Sequence, residues 1–330
     1  MAQTGTDPAA SAEQVTITGG CGFLGLKLAE RLLAEWPQLT RLRLVDQAAP
    51  PEGWAVDDPR IEIVLGDVTD EAFLQATITP ETQVVFHLAS VVSAGAEQNF
   101  DLGYAVNLLG TLALLERCRR LDSTPMVVFT SSLATFGSGA GAEVGDATAL
   151  RPESSYGVQK ACCELLINDY HRKGFVDGRV LRLPTVVVRP GKPNLAASGF
   201  ASGIIREPLA GIDMVCTVAP ETVMAVISPR RVIDAFCTIS SLPSDDLGAD
   251  RTVLLPGLSM SMAEAVAATT AEAGARTLGR VDFKPDPDIQ RIIDSWPPSI
   301  VSERASRLGF VGDGSVSAIV RQHIEDELEH

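Results

Sequence analysis

The sequence predicts an α/β fold in which a doubly wound parallel sheet carries a smaller C-terminal lobe. Two observations predict the sheet: short β-rich runs alternate with helical patterns through the first half of the chain, and these runs are mostly apolar, as strands covered on both faces are. A third observation predicts the lobe: after residue 188 the alternation of strand-like and helical patterns becomes irregular, because proline and glycine interrupt it. The 330 residues suffice for both parts.

The predicted elements follow one another as strand, helix, strand. Strands are predicted at residues 15–18, 42–45, 61–65, 84–88 and 126–130. Helices are predicted between them at residues 24–36, around 71–76, and at 107–120. A further helix runs from Tyr156 to about residue 173, and a strand-like run follows at residues 179–188.

Composition excludes several classes of function. The formal net charge of −15 disfavours a nucleic-acid partner, because phosphate backbones are bound by clustered positive charge. No run approaches the ~18 apolar residues of a membrane-spanning helix, so no membrane partner is expected. The six cysteines lack zinc-site spacing. We therefore expect no metal, reduced thiols and a cytoplasmic protein.

A glycine-rich loop follows the first predicted strand. The run TITGGCGFLG places Gly19, Gly22 and Gly25 between that strand and the next helix. The glycines permit a tight turn, close approach of the backbone to a pyrophosphate, and close packing of helix on strand. The helix N-terminus adds free N–H groups that attract phosphate. The loop predicts a bound dinucleotide, with Phe23 and Leu24 beside it.

An acidic residue ends the second predicted strand. Asp46 closes the run RLRLVD, 21 positions after Gly25. A carboxylate at this position accepts hydrogen bonds from both ribose hydroxyls and repels a 2′-phosphate. Gln47 follows it, where an arginine would favour the phosphorylated cofactor. The predicted cofactor is therefore NAD and not NADP.

The ends of later strands extend this predicted cofactor site. Asp67, in GDVTD after the third strand, lies where a carboxylate can meet the adenine amino group. His87, in FHLAS, is predicted to be a hydrogen-bonded histidine at the sheet end and not a catalytic one. The other residues predicted to line the path of the dinucleotide are Val68, Leu88, Ala89 and Leu183.

These motifs give the predicted domain boundaries. Residues 14–188 are predicted to form an NAD-binding Rossmann domain, and part of residues 226–255 is predicted to return to it. Residues 189–225 and 256–330 are predicted to form the smaller, substrate-binding lobe over the carboxyl edge of the sheet. Residues 1–13 are small and polar, and they predict a flexible N-terminus and not a signal peptide.

Two further motifs predict proton-transfer chemistry. In SSYGVQK, Tyr156 and Lys160 are four residues apart, about one helical turn, so both side chains leave the same face. The lysine ammonium is predicted to lower the pKa of Tyr156 towards neutrality, which would make the phenol a general base. Ser132, in FTSSLATFG, lies 24 residues upstream and is predicted to hold the substrate oxygen. A serine hydrolase is disfavoured because GxSxG is absent.

In combination, these motifs resemble those of the extended short-chain dehydrogenase/reductase family, which is similar to the NAD-dependent epimerases and dehydratases. The resemblance covers roughly residues 15–190 through TGGxGFxG, HLA, VNxxGT, SSxxxxG and YxxxK. It implies a catalytic triad of Ser132, Tyr156 and Lys160, in which Lys160 also holds the nicotinamide ribose.

The resemblance also implies roles for other parts of the chain. Asn107 matches a family asparagine that helps to hold the proton-relay geometry. A homodimer is expected through the helices around residues 107–120 and 157–173. Longer segments, among them VVSAGAEQNFDLGYAVN and SGFASGIIREPL, extend the likeness to dehydrogenases of small sugar acids. The implied reaction is oxidation of a secondary alcohol, with Tyr156 taking the proton while hydride passes to the nicotinamide.

A sugar-acid substrate needs a cationic partner for its carboxylate, and a bidentate arginine suits it best. Arg189, in RPGKPN, is the first candidate, and Arg230, in SPRR, is the second. Ser93, in VVSAG, follows the fourth strand at the expected mouth of the site. The predicted substrate contacts are Ser93, Ser132, Tyr156 and Arg189.

Two other functions share part of this pattern. A sugar-nucleotide epimerase or dehydratase would recycle its NAD on the same fold, but the second lobe offers few cationic or aromatic residues for a nucleoside diphosphate. A dinucleotide-sensing regulatory protein would keep the phosphate loop without needing Ser132, Tyr156 and Lys160. The sequence favours a dehydrogenase of a small sugar acid.

Overall fold

The computed structural model describes residues 11–54, 57–191 and 198–329. Its strands are β1 (Gln14–Thr18), β2 (Arg41–Asp46), β3 (Ile61–Leu65), β4 (Val84–His87), β5 (Met126–Ser132), β6 (Glu143–Gly145), β7 (Asp177–Leu183), β8 (Thr185–Val186), β9 (Met214–Cys216), β10 (Val223–Ile227), β11 (Thr252–Leu254), β12 (Leu258–Ser261), β13 (Val281–Phe283) and β14 (Ser299–Val301). Most of the predicted N-terminal segment, residues 1–10, lies outside the described residues.

The α-helices of the same residues begin with α1 (Phe23–Glu35), α2 (Glu71–Thr77), α3 (Ser93–Gln98), α4 (Phe100–Gly103), α5 (Thr111–Arg119), α6 (Ser155–Arg172) and α7 (Gly199–Leu209). They continue with α8 (Pro229–Ser241), α9 (Ser244–Leu247), α10 (Met262–Glu272), α11 (Pro287–Asp294), α12 (Glu303–Arg307) and α13 (Val316–Glu327). A π-helical turn, Tyr104–Gly110, joins α4 to α5, and short 3₁₀ turns lie at Leu133–Thr135 and Ser138–Ala140.

Seven parallel strands form the central sheet in the order β11-β7-β5-β4-β1-β2-β3. Apolar side chains cover both of its faces. Leu28 of α1 and Phe236 of α8 belong to the core on one face, while Leu114 of α5 and Ile167 of α6 belong to the core on the other. This is the doubly wound arrangement, and the predicted fold class is confirmed.

Two elements differ from their predicted limits. The helix predicted at residues 107–120 is instead the π-helical turn followed by α5, and the wider turn carries Asn107, whose side chain bonds away from the helix. The strand predicted at 179–188 is two strands in two sheets. Pro184 separates them, because it lacks the N–H that would continue the hydrogen-bond ladder.

The second half of the chain adds three small sheets, β12-β10-β8, β13-β9 and β14-β6. Helices α7, α10 and α13 pack with β10 around a separate core that includes Ile204, Met260 and Ile319. Two elements of this half lie in the larger layer: β11 is an edge strand of the central sheet, and α8 packs beside α1. In the other direction, β6 pairs with β14, so the two parts share a small sheet.

Within the described ranges, no helix combines the length and apolar character needed to cross a membrane. The same residues contain no group of three or more histidine, cysteine, aspartate or glutamate side chains placed to hold a metal ion. All six cysteines are free thiols.

Candidate active site

A cleft of about 310 Å³ lies at the carboxyl ends of β1, β4, β5 and β7. Ligands of open α/β sheets bind at this edge, because the loops that leave the parallel strands converge there. The residues predicted from separate motifs that line it are Gly19, Gly22, Phe23, Leu24, Gly25, Leu88, Ser93, Ser132, Tyr156, Lys160, Leu183 and Arg189. The structure therefore brings the phosphate loop, the predicted triad and one candidate arginine into one cleft.

The glycine loop has the close contacts that a dinucleotide cradle requires. Gly19 has a φ of +69°, and a Cβ there would lie 2.7 Å from the backbone N of Ala89. A Cβ on Gly25 would lie 2.4 Å from the carbonyl O of Gly19. Helix α1 starts after Gly22 with neither a side-chain cap nor an acidic residue in its first turn. Its first N–H groups therefore suit a phosphate, and these residues fit the predicted cofactor.

Asp46 lies beside this loop at the end of β2. One carboxylate oxygen accepts a hydrogen bond from the backbone N of Cys21 at 3.1 Å, and the other accepts from the backbone N of Gln47 at 2.8 Å. These bonds fix the carboxylate next to the loop. Asp67 is held differently, since its Oδ1 accepts from the backbone N and the hydroxyl of Thr69, each at 2.8 Å. Val68, beside it, is buried.

Tyr156 and Lys160 project from the first turns of α6, whose start is capped by Ser154 accepting from the backbone N of Gly157 at 3.1 Å. Lys160 is only 2% exposed. Its Nζ donates to the carbonyl O of Thr130 at 2.9 Å and lies 5.6 Å from the centroid of the Tyr156 ring. Burial lowers the pKa of Lys160 to about 8.

The pKa of Tyr156 shifts in the direction opposite to the one expected from the sequence. Desolvation in the cleft raises it, and this outweighs the lowering by hydrogen bonds to Ser132 and Ser90 and by the charge of Arg189. The prediction of a lowered pKa is therefore wrong in sign. The prediction considered only the neighbouring ammonium of Lys160, whereas the surrounding protein penalises the charged phenolate.

Ser132 ends β5 and caps the following 3₁₀ turn. Its Oγ accepts a hydrogen bond from the backbone N of Ala134 at 3.1 Å. The same hydroxyl also acts to lower the pKa of Tyr156, and both side chains line the cleft. The adjacent Ser131 donates to the carboxylate of Glu164, which also binds Arg182 through two hydrogen bonds. This buried group ties the end of β5 to α6.

Asn107 hydrogen-bonds to none of the three predicted catalytic side chains. Its Oδ1 accepts from the backbone N of Val91 at 2.7 Å and from the hydroxyl of Ser90 at 3.0 Å. Its Nδ2 donates to the carbonyl O of Val91 at 3.0 Å and to Oε1 of Gln159 at 2.7 Å. Asn107 thus holds the loop after β4 against α6.

His87 is fully buried between two threonines. Its Nδ1 lies 2.6 Å from Oγ1 of Thr18, and its Nε2 lies 2.9 Å from Oγ1 of Thr111. Burial lowers its pKa to about 3, so the ring is neutral at physiological pH. These contacts match the predicted structural histidine.

The two candidate arginines have different surroundings. Arg189 lines the cleft, donates to the hydroxyl of Ser198 at 3.0 Å, and pairs with no carboxylate among residues 11–54, 57–191 and 198–329. Residues 192–197 of its loop lie outside the described residues. Arg230 lies outside the cleft and is ion-paired with Asp326 at 2.5 Å and Glu325 at 2.9 Å. The second candidate, Arg230, is therefore wrong.

Several residues of the cleft were missed by the sequence analysis, among them Ser90, Ser198 and Trp296. Ser90 directly follows the HLA motif, and its position after a parallel strand is a signal that could have found it. Ser198 and Trp296 come from the second lobe. No local pattern marks Trp296, which reaches the cleft just before β14 pairs with a strand far away in the sequence.

Comparisons with known proteins agree with this geometry. Residues 15–225 match the model of the NAD dependent epimerase/dehydratase family. The chain is 49% identical to D-erythronate dehydrogenase of Cupriavidus necator, over 94% of this chain and 98% of that protein. It is 43% identical to the protein of the same name from Haemophilus influenzae, over 96% of this chain and 100% of that one.

A solved structure, the nucleoside-diphosphate-sugar epimerase from Agrobacterium tumefaciens, is also similar. It has a TM-score of 0.88 and 35% sequence identity, and the match covers 99% of this chain and 98% of that chain. The L-threonine dehydrogenase from Clostridium difficile has a TM-score of 0.84 and 25% identity, covering 95% and 97% of the two chains.

Proposed function

Because the chain belongs to the NAD-dependent epimerase/dehydratase family, we propose that it is a dehydrogenase that oxidises D-erythronate to 2-oxo-tetronate with NAD. The observation that carries the proposal is the position of Arg189, a cleft arginine with no carboxylate partner among the described residues, beside Ser132 and Tyr156. A guanidinium in that place suits the carboxylate of a small hydroxy acid. Two near-full-length relatives named D-erythronate dehydrogenase support the choice of acid.

In this proposal, the glycine loop and Asp46 hold the cofactor. The backbone at Gly19, Gly22 and Gly25 accommodates the pyrophosphate, and Asp46 accepts from the ribose hydroxyls, which favours NAD over NADP. When bound, the nicotinamide accepts the hydride that leaves the substrate carbon. The buried Lys160 would bind the nicotinamide ribose through its ammonium group.

The chain's own side chains supply orientation and proton transfer. Arg189 binds the substrate carboxylate, and Ser132 donates its hydroxyl hydrogen to the oxygen of the reacting carbon. Tyr156 removes the hydroxyl proton as that oxygen becomes a carbonyl. Because burial raises the pKa of Tyr156, the proposed general base is more active on the alkaline side of neutrality.

A sugar-nucleotide epimerase is the second candidate, because the similar solved structure carries such a name. The two activities need different sites. A nucleoside diphosphate requires room and cationic partners beyond one carboxylate-binding arginine, whereas a four-carbon acid fits a small cleft. Among the described residues that line the cleft, the cationic side chains are Lys160 and Arg189, and this small number favours the acid.

We also propose a cytoplasmic homodimer. Leu109 in the π-helical turn and Leu165 in α6 are 57% and 68% exposed, on the helices through which dimerisation is expected. The six free thiols suit a reducing compartment. Replacing both leucines with lysine should convert a dimer to a monomer in light scattering; an unchanged mass would remove this interface.

The decisive experiment is a panel of four- to six-carbon aldonic acids with NAD and with NADP, followed by the absorbance of the reduced cofactor. We expect the highest kcat/KM with D-erythronate and NAD. UDP-sugars are assayed in parallel for epimerised products. Turnover of a UDP-sugar without any acid oxidation would replace the proposed function with the second candidate.

A further inference from the structure

Helix α7 and the residue that caps its start present three side chains in a row, and each of them binds a different group of Arg189. Ser198, Ser202 and Arg206 follow one another at intervals of four residues, which places them on one face of the helix. The guanidinium of Arg189 donates from Nη2 to Oγ of Ser198 at 3.0 Å. The backbone N of Arg189 donates to Oγ of Ser202 at 3.1 Å, and its carbonyl O accepts from Nη1 of Arg206 at 2.6 Å.

This row of side chains has a firm support in the second lobe. Ile204 and Ile205, on other faces of α7, are buried in the separate core of that lobe. The two serines are themselves buried, with Ser198 6% and Ser202 1% exposed. Arg189, in contrast, follows the last residue of β8 in chain that is neither strand nor helix. The position of its side chain in the cleft therefore depends on α7.

The hydroxyl of Ser198 is not used to cap the helix that it precedes. A serine at this position commonly accepts a hydrogen bond from a backbone N–H of the first turn. Ser315 does so at the start of α13, where its Oγ accepts from the backbone N of Ala318 at 3.1 Å. Ser198 makes no such bond, and its Oγ accepts from Arg189 in the lining of the cleft. The serine thus serves the arginine and not the helix.

The charges around this row leave Arg189 as the cation directed to the cleft. Arg206 is neutralised by Glu207, which accepts from its Nε at 3.1 Å and from its Nη2 at 2.5 Å. Arg189 has five N–H donors, and its bond to Ser198 uses one of them at Nη2. Two of the others are enough for a bidentate bond to a carboxylate.

We propose that Ser198 is a positioning residue, whose hydroxyl holds the guanidinium of Arg189 in the orientation that binds the substrate carboxylate. Ser202 and Arg206 fix the backbone of Arg189 in the same arrangement. The inference rests on the proposed function, in which Arg189 binds the acid. A guanidinium that is held in place before the substrate arrives loses less conformational freedom on binding. The second lobe therefore contributes to the affinity for the acid through α7.

The first test is the steady-state kinetics of Ser198→Ala with D-erythronate and NAD. We expect KM for the acid to rise about tenfold, because a hydrogen bond to a charged group is lost, and kcat to change by less than about twofold. Ser198→Thr keeps a hydroxyl and should restore most of the affinity. The control is Ser315→Ala, which removes a true helix cap and should lower the free energy of unfolding without changing KM. An unchanged KM in Ser198→Ala would overturn the proposal.

A double-mutant cycle separates positioning from direct contact with the acid. If Ser198 acts through Arg189, Ser198→Ala should cause no further rise in KM once Arg189→Leu is present. If Ser198 binds the acid itself, the same tenfold rise should appear in both backgrounds, and this result would overturn the positioning role.

A second measurement needs no turnover. Phenylglyoxal modifies exposed guanidinium groups, and mass spectrometry of the peptides reports the rate at each arginine. We expect Arg189 to be modified faster in Ser198→Ala than in the unsubstituted protein, with Arg230, which is ion-paired outside the cleft, as the internal reference. If no acid reduces NAD, the proposed function fails, while this labelling still decides whether Ser198 holds Arg189. Equal rates at Arg189 in the two proteins would reject the inference.

Discussion

The central sheet and the small sheets of the second half of the chain are built differently, and the cleft takes residues from both parts. In the central sheet, β1 to β5 and β7 lie beside strands that are close to them in the chain order. In the small sheets, β14 pairs with β6 and β13 pairs with β9, across long stretches of chain. The cofactor residues therefore depend mainly on local pattern, whereas the placement of Trp296 depends on distant pairings.

The largest expected effect tests the central-sheet side. Tyr156→Phe removes the phenol hydroxyl and should lower kcat by about 10³-fold, the range of a lost general base. The glycine loop is untouched, so NAD binding by calorimetry should be unchanged. Tyr104→Phe is the matched control because Tyr104 lies outside the cleft lining. A Tyr156→Phe enzyme within tenfold of the original would remove the proton-transfer role.

The second prediction tests the side that faces the second lobe. Arg189→Leu should lower kcat/KM for a sugar acid by about 50-fold, mostly through KM, because a charged hydrogen-bond partner of the carboxylate is lost. Arg230→Leu, the matched control, breaks only a half-exposed ion pair and should change kcat/KM by less than about twofold. Equal effects of the two substitutions on KM would contradict the assignment of Arg189.

The third prediction sharpens the cofactor assignment. Asp46→Ala should reduce the preference for NAD over NADP by about tenfold, because one set of hydrogen bonds to the ribose is lost and the repulsion of a 2′-phosphate disappears. Asp67→Ala should weaken both cofactors alike, since the adenine is common to them. Ratios of kcat/KM for the two cofactors measure this. An unchanged ratio in Asp46→Ala would count against the role of the carboxylate.

The smallest expected effect is on stability. Lys160→Met removes a buried ammonium and should increase the free energy of unfolding at pH 7 by about 1 kcal/mol, although turnover is lost. The folded pKa of about 8 lies below the ordinary value of 10.5, so between these values the unfolded chain binds more protons, and the stability of the unsubstituted protein rises with pH. The advantage of Lys160→Met should therefore shrink above pH 8 in denaturant titrations. A constant difference would contradict this.

Sequence alone was enough for the elements whose signal is local. The runs that became β1 and β4 were identified because buried parallel strands are mostly apolar, whereas β3 is a largely exposed edge strand whose run contains Glu62. Tyr156 and Lys160 needed only helical spacing, and the glycine loop only its place between strand and helix. The direction of the Tyr156 pKa shift was not predictable from the sequence, because the pKa is raised by the protein that surrounds the phenol.

Most of the features that were not predicted depend on contacts between residues that are far apart in the sequence. Nothing in the sequence distinguishes the role of Arg189 from that of Arg230. In the structure, Asp326 of α13 forms a salt bridge with Arg230, whereas Arg189 lines the cleft. Trp296 has no neighbouring motif. Ser90 was accessible in principle, because it directly follows HLA at a strand end.

The pairing of β14 with β6 has a consequence for any attempt to produce the two parts of the chain separately. Ile300 of β14 packs with Val144 of β6 and with Leu133, the residue next to the catalytic serine candidate. The hydroxyl of Ser302 and the backbone N of Arg304 also donate to Asp146. A fragment truncated at residue 188 would lose this support under its own active-site turn, together with an edge strand of its main sheet. The two halves should therefore be obtained in native form by co-expression and not separately.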